Sequence, residues 1–512
     1  MLVKTYGASL TGIDAITITI EVDISNGIRF FLVGLPDNAV KESQQRIESA
    51  FRVYNYKWPG RQIVINMAPA DTRKEGASYD LPLAIGILAG NGEIADKYLS
   101  DFMIMGELSL DGSLQPIKGA LPIAVRAQKE GFKGVILPKI NAREAAVVEG
   151  LKVYGADNIK EVIDFLNDEY ELKQVVVDTE KEFMHSIINN DIDFSDVKGQ
   201  DSVKRALEIS AAGGHNIIMI GAPGSGKSML AKRLATILPP LQLNEALETT
   251  KIHSVAGKIS GNTALITQRP FRNPHHTISD VALVGGGTYP QPGEISLAHN
   301  GVLFLDELPE FKRTVLEVLR QPLEDRQISI SRAKFALDYP ASFMLIASMN
   351  PCPCGYFNHP DKQCLCNPGQ VQKYLSRISG PLLDRIDIHI EVVPVPFNKL
   401  AEAPLAEKSE SVRERVIKAR DIQTVRYKNN PNIYSNAQMT TKLLRKYSKL
   451  DESGSLILKN AMEKLDLSAR AYDRILKVAR TIADLEASEN IQSHHIAEAV
   501  QYRSLDKAGW AG

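Results

Sequence analysis

No apolar run in this chain approaches the roughly 18 residues that a membrane helix needs. That argues against a helical membrane protein. The N-terminus, Met1-Leu2-Val3-Lys4-Thr5-Tyr6-Gly7, has no secretory h-region, so the chain reads as cytosolic. It lacks an excess of charge of either sign: 60 Lys and Arg stand against 61 Asp and Glu, for a formal net charge of -1. No global charge points to nucleic acid, and any such surface must be local. There are no tandem repeats and no low-complexity tract. Cysteine is scarce, with 4 in 512 residues. A stable disulfide does not suit a reducing cytosol. What the chain has is bulk: 44% of it is hydrophobic, enough for several cores. Its length suggests about three domains.

It also has a phosphate-binding pattern. Gly221-Ala222-Pro223-Gly224-Ser225-Gly226-Lys227-Ser228 fits GxxxxGK[ST]. The apolar run Asn216–Ile220 predicts a buried strand leading in. Met229–Leu238 predicts a helix leading out, stopped by Pro239 and Pro240. Gly221, Gly224 and Gly226, with Ser225 between them, let backbone N–H groups turn toward phosphates, and the helix N-terminus adds positive potential. Lys227 should reach the β- and γ-phosphates, and Ser228 should ligate magnesium. A chance glycine-rich turn would not bring strand, loop and helix in this order.

A second motif agrees with the first. Gly301-Val302-Leu303-Phe304-Leu305-Asp306-Glu307 is an apolar strand ending in two carboxylates. Asp306 is assigned to the metal and Glu307 to the general base; the alternative is an acidic start to the next helix. Together the motifs make the chain an NTP hydrolase using ATP and Mg²⁺. The strand Phe343–Met349 ends in Asn350, which could orient the water that Glu307 activates or be a turn residue before Pro351. Leu382-Leu383-Asp384-Arg385-Ile386-Asp387 places Arg385 between acids that could hold it at a subunit edge. An arginine donated across an interface stabilises transition-state charge; a surface salt bridge is the equal alternative. Ser468 reads as the N-cap of a helix carrying Arg470 and Arg474, and Arg470 is the first choice to return to the γ-phosphate, against an ordinary cationic helix face. Gln327–Tyr339 alternates as a hairpin does, with Arg332 and Lys334 near the tip. Cationic tips suit a polyanion passing through a ring; a solvated hairpin end is the plainer reading.

All four cysteines, Cys352, Cys354, Cys364 and Cys366, fall within fifteen residues. Two Cys-x-Cys arms sit nine residues apart, with Pro353 and Gly355 shaping the first. Four thiolates in one short loop suit structural, tetrahedral zinc. The competing readings are free thiols and a redox pair.

The chain divides by pattern into an α/β domain over 1–166, an acidic linker over 167–195, a motor core over 196–395 that includes the cysteine loop 352–366, and a helical tail over 396–512. In the first, Thr17–Asp23 and Gln62–Asn66 alternate as strands, while Asn38–Val53 and Ala120–Gly131 carry helical spacing. From Asp168 to Asp196 there are nine Asp or Glu and two Lys or Arg, and Val175–Val177 reads as a last strand.

Taken together, the Walker motifs, Asn350, Arg385 and Arg470 resemble an AAA+ ATPase: a P-loop α/β core with a helical lid. The insert Phe271–Gly287 and the hairpin before Asn350 are similar to those of magnesium chelatase motor subunits and MCM helicases. Pro292–Glu307 and Asn350–Gly355 are identified with the YifB/ComM family, and the resemblance spans essentially the whole chain. It implies a homo-oligomer, a hexamer, that acts on DNA as a helicase driving branch migration. It also implies that Arg385 acts in trans, that Arg470 is the lid sensor, and that Arg332 lies where MCM proteins carry a DNA-touching lysine.

Residues 1–166 resemble the Lon protease domain, an S5-like α+β fold, through Gly106–Ile117. Lys74-Glu75-Gly76-Ala77-Ser78 puts Ser78 at the nucleophile position, but the position of the base holds Leu121, and Lys118 comes three residues early. Without a base the serine stays protonated. The domain therefore reads as non-proteolytic, a scaffold or a DNA-contacting ring. Three functions compete: an ATP-driven DNA motor, a chelatase-type remodeller of a protein partner, and an ATP-dependent protease. Leu121 argues against the third; Arg332 and Lys334 favour the first.

Overall fold

The structure, a computed structural model, describes residues 2–185, 192–261, 263–287, 290–332, 335–357, 359, 361–395, 407–430 and 433–503. Alternation sets the N-terminal part. Leu2–Thr11 and Asp14–Ser25 pair antiparallel, with Val3 opposite Val22 and Thr5 opposite Ile20. Ile18, Ile20, Val22 and Ile24 turn one face inward, toward the helices Asp80–Gly90 and Ala120–Lys129. These strands belong to a mixed seven-stranded sheet ordered Phe30–Val33, Gln62–Ala68, Asp14–Ser25, Leu2–Thr11, Phe102–Ile104, Gly134–Pro138, Lys152–Ala156.

The second sheet is built differently. Its three central strands, Val302–Leu305, Met344–Met349 and Ile217–Ile220, are near-continuous apolar runs buried along their whole length, as burial on both faces requires. The five strands run Phe271–Arg272, Val302–Leu305, Met344–Met349, Ile217–Ile220 and Ile388–Glu391 across the sheet, and every pairing is parallel. Numbered along the chain, the order is 2-3-4-1-5. All five carboxyl ends therefore meet one edge, the place where open α/β sheets hold their ligands.

The tail is helical as expected: Ser409–Tyr427, Thr441–Tyr447, Glu452–Leu465, Ala469–Leu485 and Ser493–Gln501. Its helices do not stand apart. Leu207, Leu230 and Leu234 beneath the sheet share one buried core with Val416, Ile475, Ile482 and Ile496 of the tail. The opposite sheet face closes over Leu283, Phe311, Leu316, Tyr374 and Leu382.

Two expectations change in the acidic stretch. Val175–Val177 forms no strand; a single bridge joins Gln174 to Tyr154, and Val176 is 77% exposed. Val175 packs on the N-terminal core and its N–H donates to the Val153 carbonyl at 2.9 Å, but the pairing goes no further and gives no ladder. A helix instead spans Thr179–His185, and Val177 and Phe183 pack on a small apolar cluster with Val147, Leu241 and Leu265. No helix among the described residues is long and apolar enough to cross a membrane.

Candidate nucleotide-binding site

The loop after Ile217–Ile220 turns at the carboxyl edge of the central strands. Gly221 is obligatory for space: a Cβ there would meet the Val392 carbonyl at 2.3 Å. Gly226 caps the helix Lys227–Ile237 in a left-handed conformation, φ +94°, aiming free N–H groups out of the helix start. Lys227 is buried. Its Nζ donates to the carbonyls of Gly221 at 2.7 Å and Ala222 at 2.9 Å and to Asn350 Oδ1 at 3.2 Å. Burial pushes its pKa down, opposed by Asp306 and Glu307. Gln200, which carries no motif, fastens the loop: its Nε2 donates to the Ser225 carbonyl at 3.0 Å and to the Val393 carbonyl at 3.1 Å.

Both carboxylates follow the strand Val302–Leu305, and the strand between it and the loop, Met344–Met349, brings Ser348. Ser228 Oγ donates to Asp306 Oδ2 at 2.6 Å, and Ser348 Oγ donates to Oδ1. A hydroxyl and a carboxylate oxygen this close are the hard-oxygen donor pair that Mg²⁺ takes. Glu307 has φ +54°, a left-handed conformation uncommon for a non-glycine residue. Its carboxylate is 58% exposed and 3.6 Å from His276 Nδ1. His276 in turn stacks on His275, ring centroids 4.1 Å apart, and meets Phe311 edge-on. The insert thus returns to the site. Sequence reasoning missed Gln200, Ser348 and His276. Only Ser348, two residues before Asn350 on an expected strand, had a usable signal.

The remaining sequence candidates lie elsewhere. Arg385 sits at the opposite, amino edge of the sheet, before Ile388–Glu391. Its side chain is 6% exposed, with Nη2 on Glu324 Oε1 at 2.5 Å and Nη1 on the Pro381 carbonyl. The flanking acids do not hold it. Asp387 binds Arg474 at 3.0 Å, and Asp384 lies 4.0 Å from Arg470. Neighbours in sequence on a turn point apart, so Glu324 takes the role expected of them. Ser468 caps its helix, accepting from Ala471 N; Arg470 is 59% exposed there. The hairpin pairs Gln327–Arg332 with Phe335–Pro340, Arg332 opposite Phe335. Lys334 lies outside the described residues.

The four cysteines converge. Cys352 Sγ is 3.3 Å from Cys354 Sγ and 3.7 Å from Cys364 Sγ, and Cys354 and Cys364 are 3.5 Å apart. All four sulfurs, Cys366 included, lie within 4.8 Å of one another. Disulfide sulfurs would be at about 2.05 Å, whereas sulfurs each about 2.3 Å from one zinc stand roughly 3.8 Å apart. Backbone amides are aimed at the cluster. Phe357 N donates to Cys352 Sγ at 3.3 Å. Against burial, the N–H groups of Tyr356 and Leu365, with Cys352 and Cys366, bring the Cys354 thiol down to about 6. Cys364, although the Cys366 N–H favours its thiolate, is pushed up to about 12 by burial and by Cys354 and Cys352.

In the N-terminal part, Ser78 and Lys118 line one cavity of about 690 Å³, together with Val255, Gln291 and Tyr339. Leu121 is fully buried in the core. The buried lysine there is Lys74, whose Nζ donates to the Pro69 carbonyl and whose pKa burial lowers.

Three family descriptions match the chain: "Magnesium chelatase, subunit ChlI" over residues 193–400, its C-terminal counterpart over 406–503, and "Subunit ChlI of Mg-chelatase" over 20–141. The chain is 44% identical over 502 residues to Competence protein ComM of Haemophilus influenzae, covering 98% of this chain and 97% of that one. It is 43% identical over 498 residues to the protein YifB of Escherichia coli, covering 97% and 96%. It is also 22% identical over 342 residues to Maternal DNA replication licensing factor mcm6 of Xenopus tropicalis, covering 62% and 37%.

Proposed function

The chain belongs to the YifB/ComM family of magnesium-chelatase-like AAA+ proteins, and from that membership we propose that it is an ATP-hydrolysing DNA motor, a homo-hexameric helicase that drives branch migration. The observation that carries the hydrolase part is the convergence of Lys227, Asn350, Ser228 and Asp306 at one sheet edge. Loop amides from Gly221 to Gly226 and the Lys227 ammonium hold the ATP phosphates. A magnesium ion between Ser228 and Asp306 would neutralise phosphate charge. Glu307 takes the proton of the attacking water. Asn350 spends its carbonyl oxygen on Lys227, leaving its NH₂ to orient that water. The four cysteines hold one structural zinc.

Arg385 completes the site of a neighbouring subunit, and Arg470 is the lid's sensor of the γ-phosphate. In that role Arg385 exchanges Glu324 for a phosphate. Mixed Arg385→Ala and Lys227→Ala subunits should regain part of the ATPase lost by each alone, since one interface is rebuilt from two damaged copies. No recovery, in rings shown by labelling to have mixed, would place the arginine in cis.

The DNA part rests on the family and on the cationic hairpin. Wild-type ATPase should rise when single-stranded or four-way DNA is added at moderate salt. Replacing Arg332 and Lys334 by Ala should spare basal ATPase, weaken DNA binding and lower the salt slope by about one unit per lost phosphate contact. A flat ATPase response to both DNA forms would point to a chelatase-like remodeller of a protein partner.

A further inference from the structure

The cysteine loop does not stand clear of the nucleotide site. Gly355 packs against the phosphate-binding loop so closely that a Cβ on it would lie 2.4 Å from Pro223 Cδ. Its φ of +83° and the bond from its N–H to the Cys352 carbonyl, 3.0 Å, place it in the tight turn of the first Cys-x-Cys arm. Gly355 and Phe357 form one wall of a small cavity whose other wall is Gly221, Ala222 and Val392. A second connection runs through the backbone. Pro351 joins Cys352 to Asn350, whose Oδ1 accepts from Lys227. Cys352 itself is fully buried in the same core as Leu305 and Met349, the strand residues that carry Asp306 and Asn350.

We propose that zinc on Cys352, Cys354, Cys364 and Cys366 makes this loop a working wall of the nucleotide site, clamping Gly355 on Pro223 and Asn350 on Lys227, so that metal occupancy sets nucleotide affinity. The proposal rests on the hydrolase reading above. Its physical basis is ordering. A loop that no ion holds regains backbone freedom, and nucleotide binding must then order part of it again. A loop already fixed by the metal costs the nucleotide nothing. Coupling of this kind is reciprocal: nucleotide must tighten zinc by the factor by which zinc tightens nucleotide.

The test uses the full-length protein and a fluorescent ATP analogue. Removing zinc with a chelator should weaken analogue binding by roughly tenfold, within the usual 5- to 150-fold range for coupled sites, and adding zinc back should restore it. Zinc affinity, measured by competition with a chromophoric chelator, should rise by the same factor when the analogue is present. Gly355→Ala strikes the contact and leaves every ligand in place. It should keep one zinc per chain yet bind the analogue more weakly, and it decides the matter if the zinc-free chain unfolds. Protein purified without chelators that holds no zinc overturns the proposal. So does unchanged analogue affinity in Gly355→Ala or after zinc removal. A wild-type protein that binds zinc but no nucleotide would instead remove the hydrolase reading beneath it.

Discussion

Glu307→Gln should leave ATP bound and cut its hydrolysis by about two to four orders of magnitude, the usual cost of removing a general base. The substitution keeps the side chain's length and its left-handed backbone, so nothing else at the site has reason to move. Asp306, with both carboxylate oxygens engaged by Ser228 and Ser348, is untouched. The 58% exposure of Glu307 means a water can reach it directly. Single-turnover hydrolysis alongside equilibrium ATP binding checks the claim. Near-normal turnover would transfer the base to another group, and His276 would be the first to examine. Lys227→Ala should give the contrasting result, loss of binding itself, because it removes the ammonium proposed to meet the phosphates.

The second large effect is on stability. Asp387 is buried at the amino edge of the sheet. It accepts from Arg474 at 3.0 Å and from the Asn216 N–H at 3.0 Å, and it faces His215 at 3.4 Å. Burial alone would raise its pKa; Arg474 and His215 outweigh burial and hold it well below the usual carboxylate range. Burial lowers the pKa of His215 against the pull of Asp387, and Arg474 and Lys477 are the cations that oppose the Asp387 charge. Asp387→Ala should cost about 3–5 kcal/mol, the penalty for leaving a buried partner uncompensated. The wild type carries a matching pH signature. Both folded-state pKa values lie below their unfolded ones, so the unfolded chain binds more protons and acid destabilises the fold. The loss begins below about 6.5, through His215, and deepens below about 3.9, through Asp387. Urea midpoints from pH 8 to pH 3 measure it. An Asp387→Ala protein with an unchanged midpoint would contradict the assignment.

Much of the fold was legible because its signals are contiguous. A strand, a glycine loop and a helix in series need no knowledge of the rest of the chain, and the same holds for an apolar run ending in Asp306 and Glu307. The seven-stranded and five-stranded sheets also announce themselves differently, one by alternation and the other by the near-continuous apolar runs of its three central strands. What stayed hidden depends on which distant segments topology brings together. Gln200 on the Ser225 carbonyl, His276 by Glu307 and Glu324 on Arg385 are pairings that no local window contains. The misreading around Arg385 has the same root: Asp384 and Asp387 are nearest along the chain, yet each turns to a tail arginine. Val175–Val177 shows the converse, a strand-like triplet whose two outer residues pack on different clusters and whose pairing stops at one bridge. The cysteine cluster was visible as spacing, but its grip on Pro223 was not, because Gly355 carries no side chain to suggest a contact.

The tail helices and the sheet close over a single interior, and this limits how the protein can be taken apart. Cutting near residue 395 would strip cover from Leu207, Leu230 and Leu234 on one fragment and from Val416, Ile475 and Ile482 on the other. Neither piece would then be a fair stand-in for the intact chain. Any swing of the tail as a hinged flap would tear the same seam and uncover Leu207, Leu230 and Leu234.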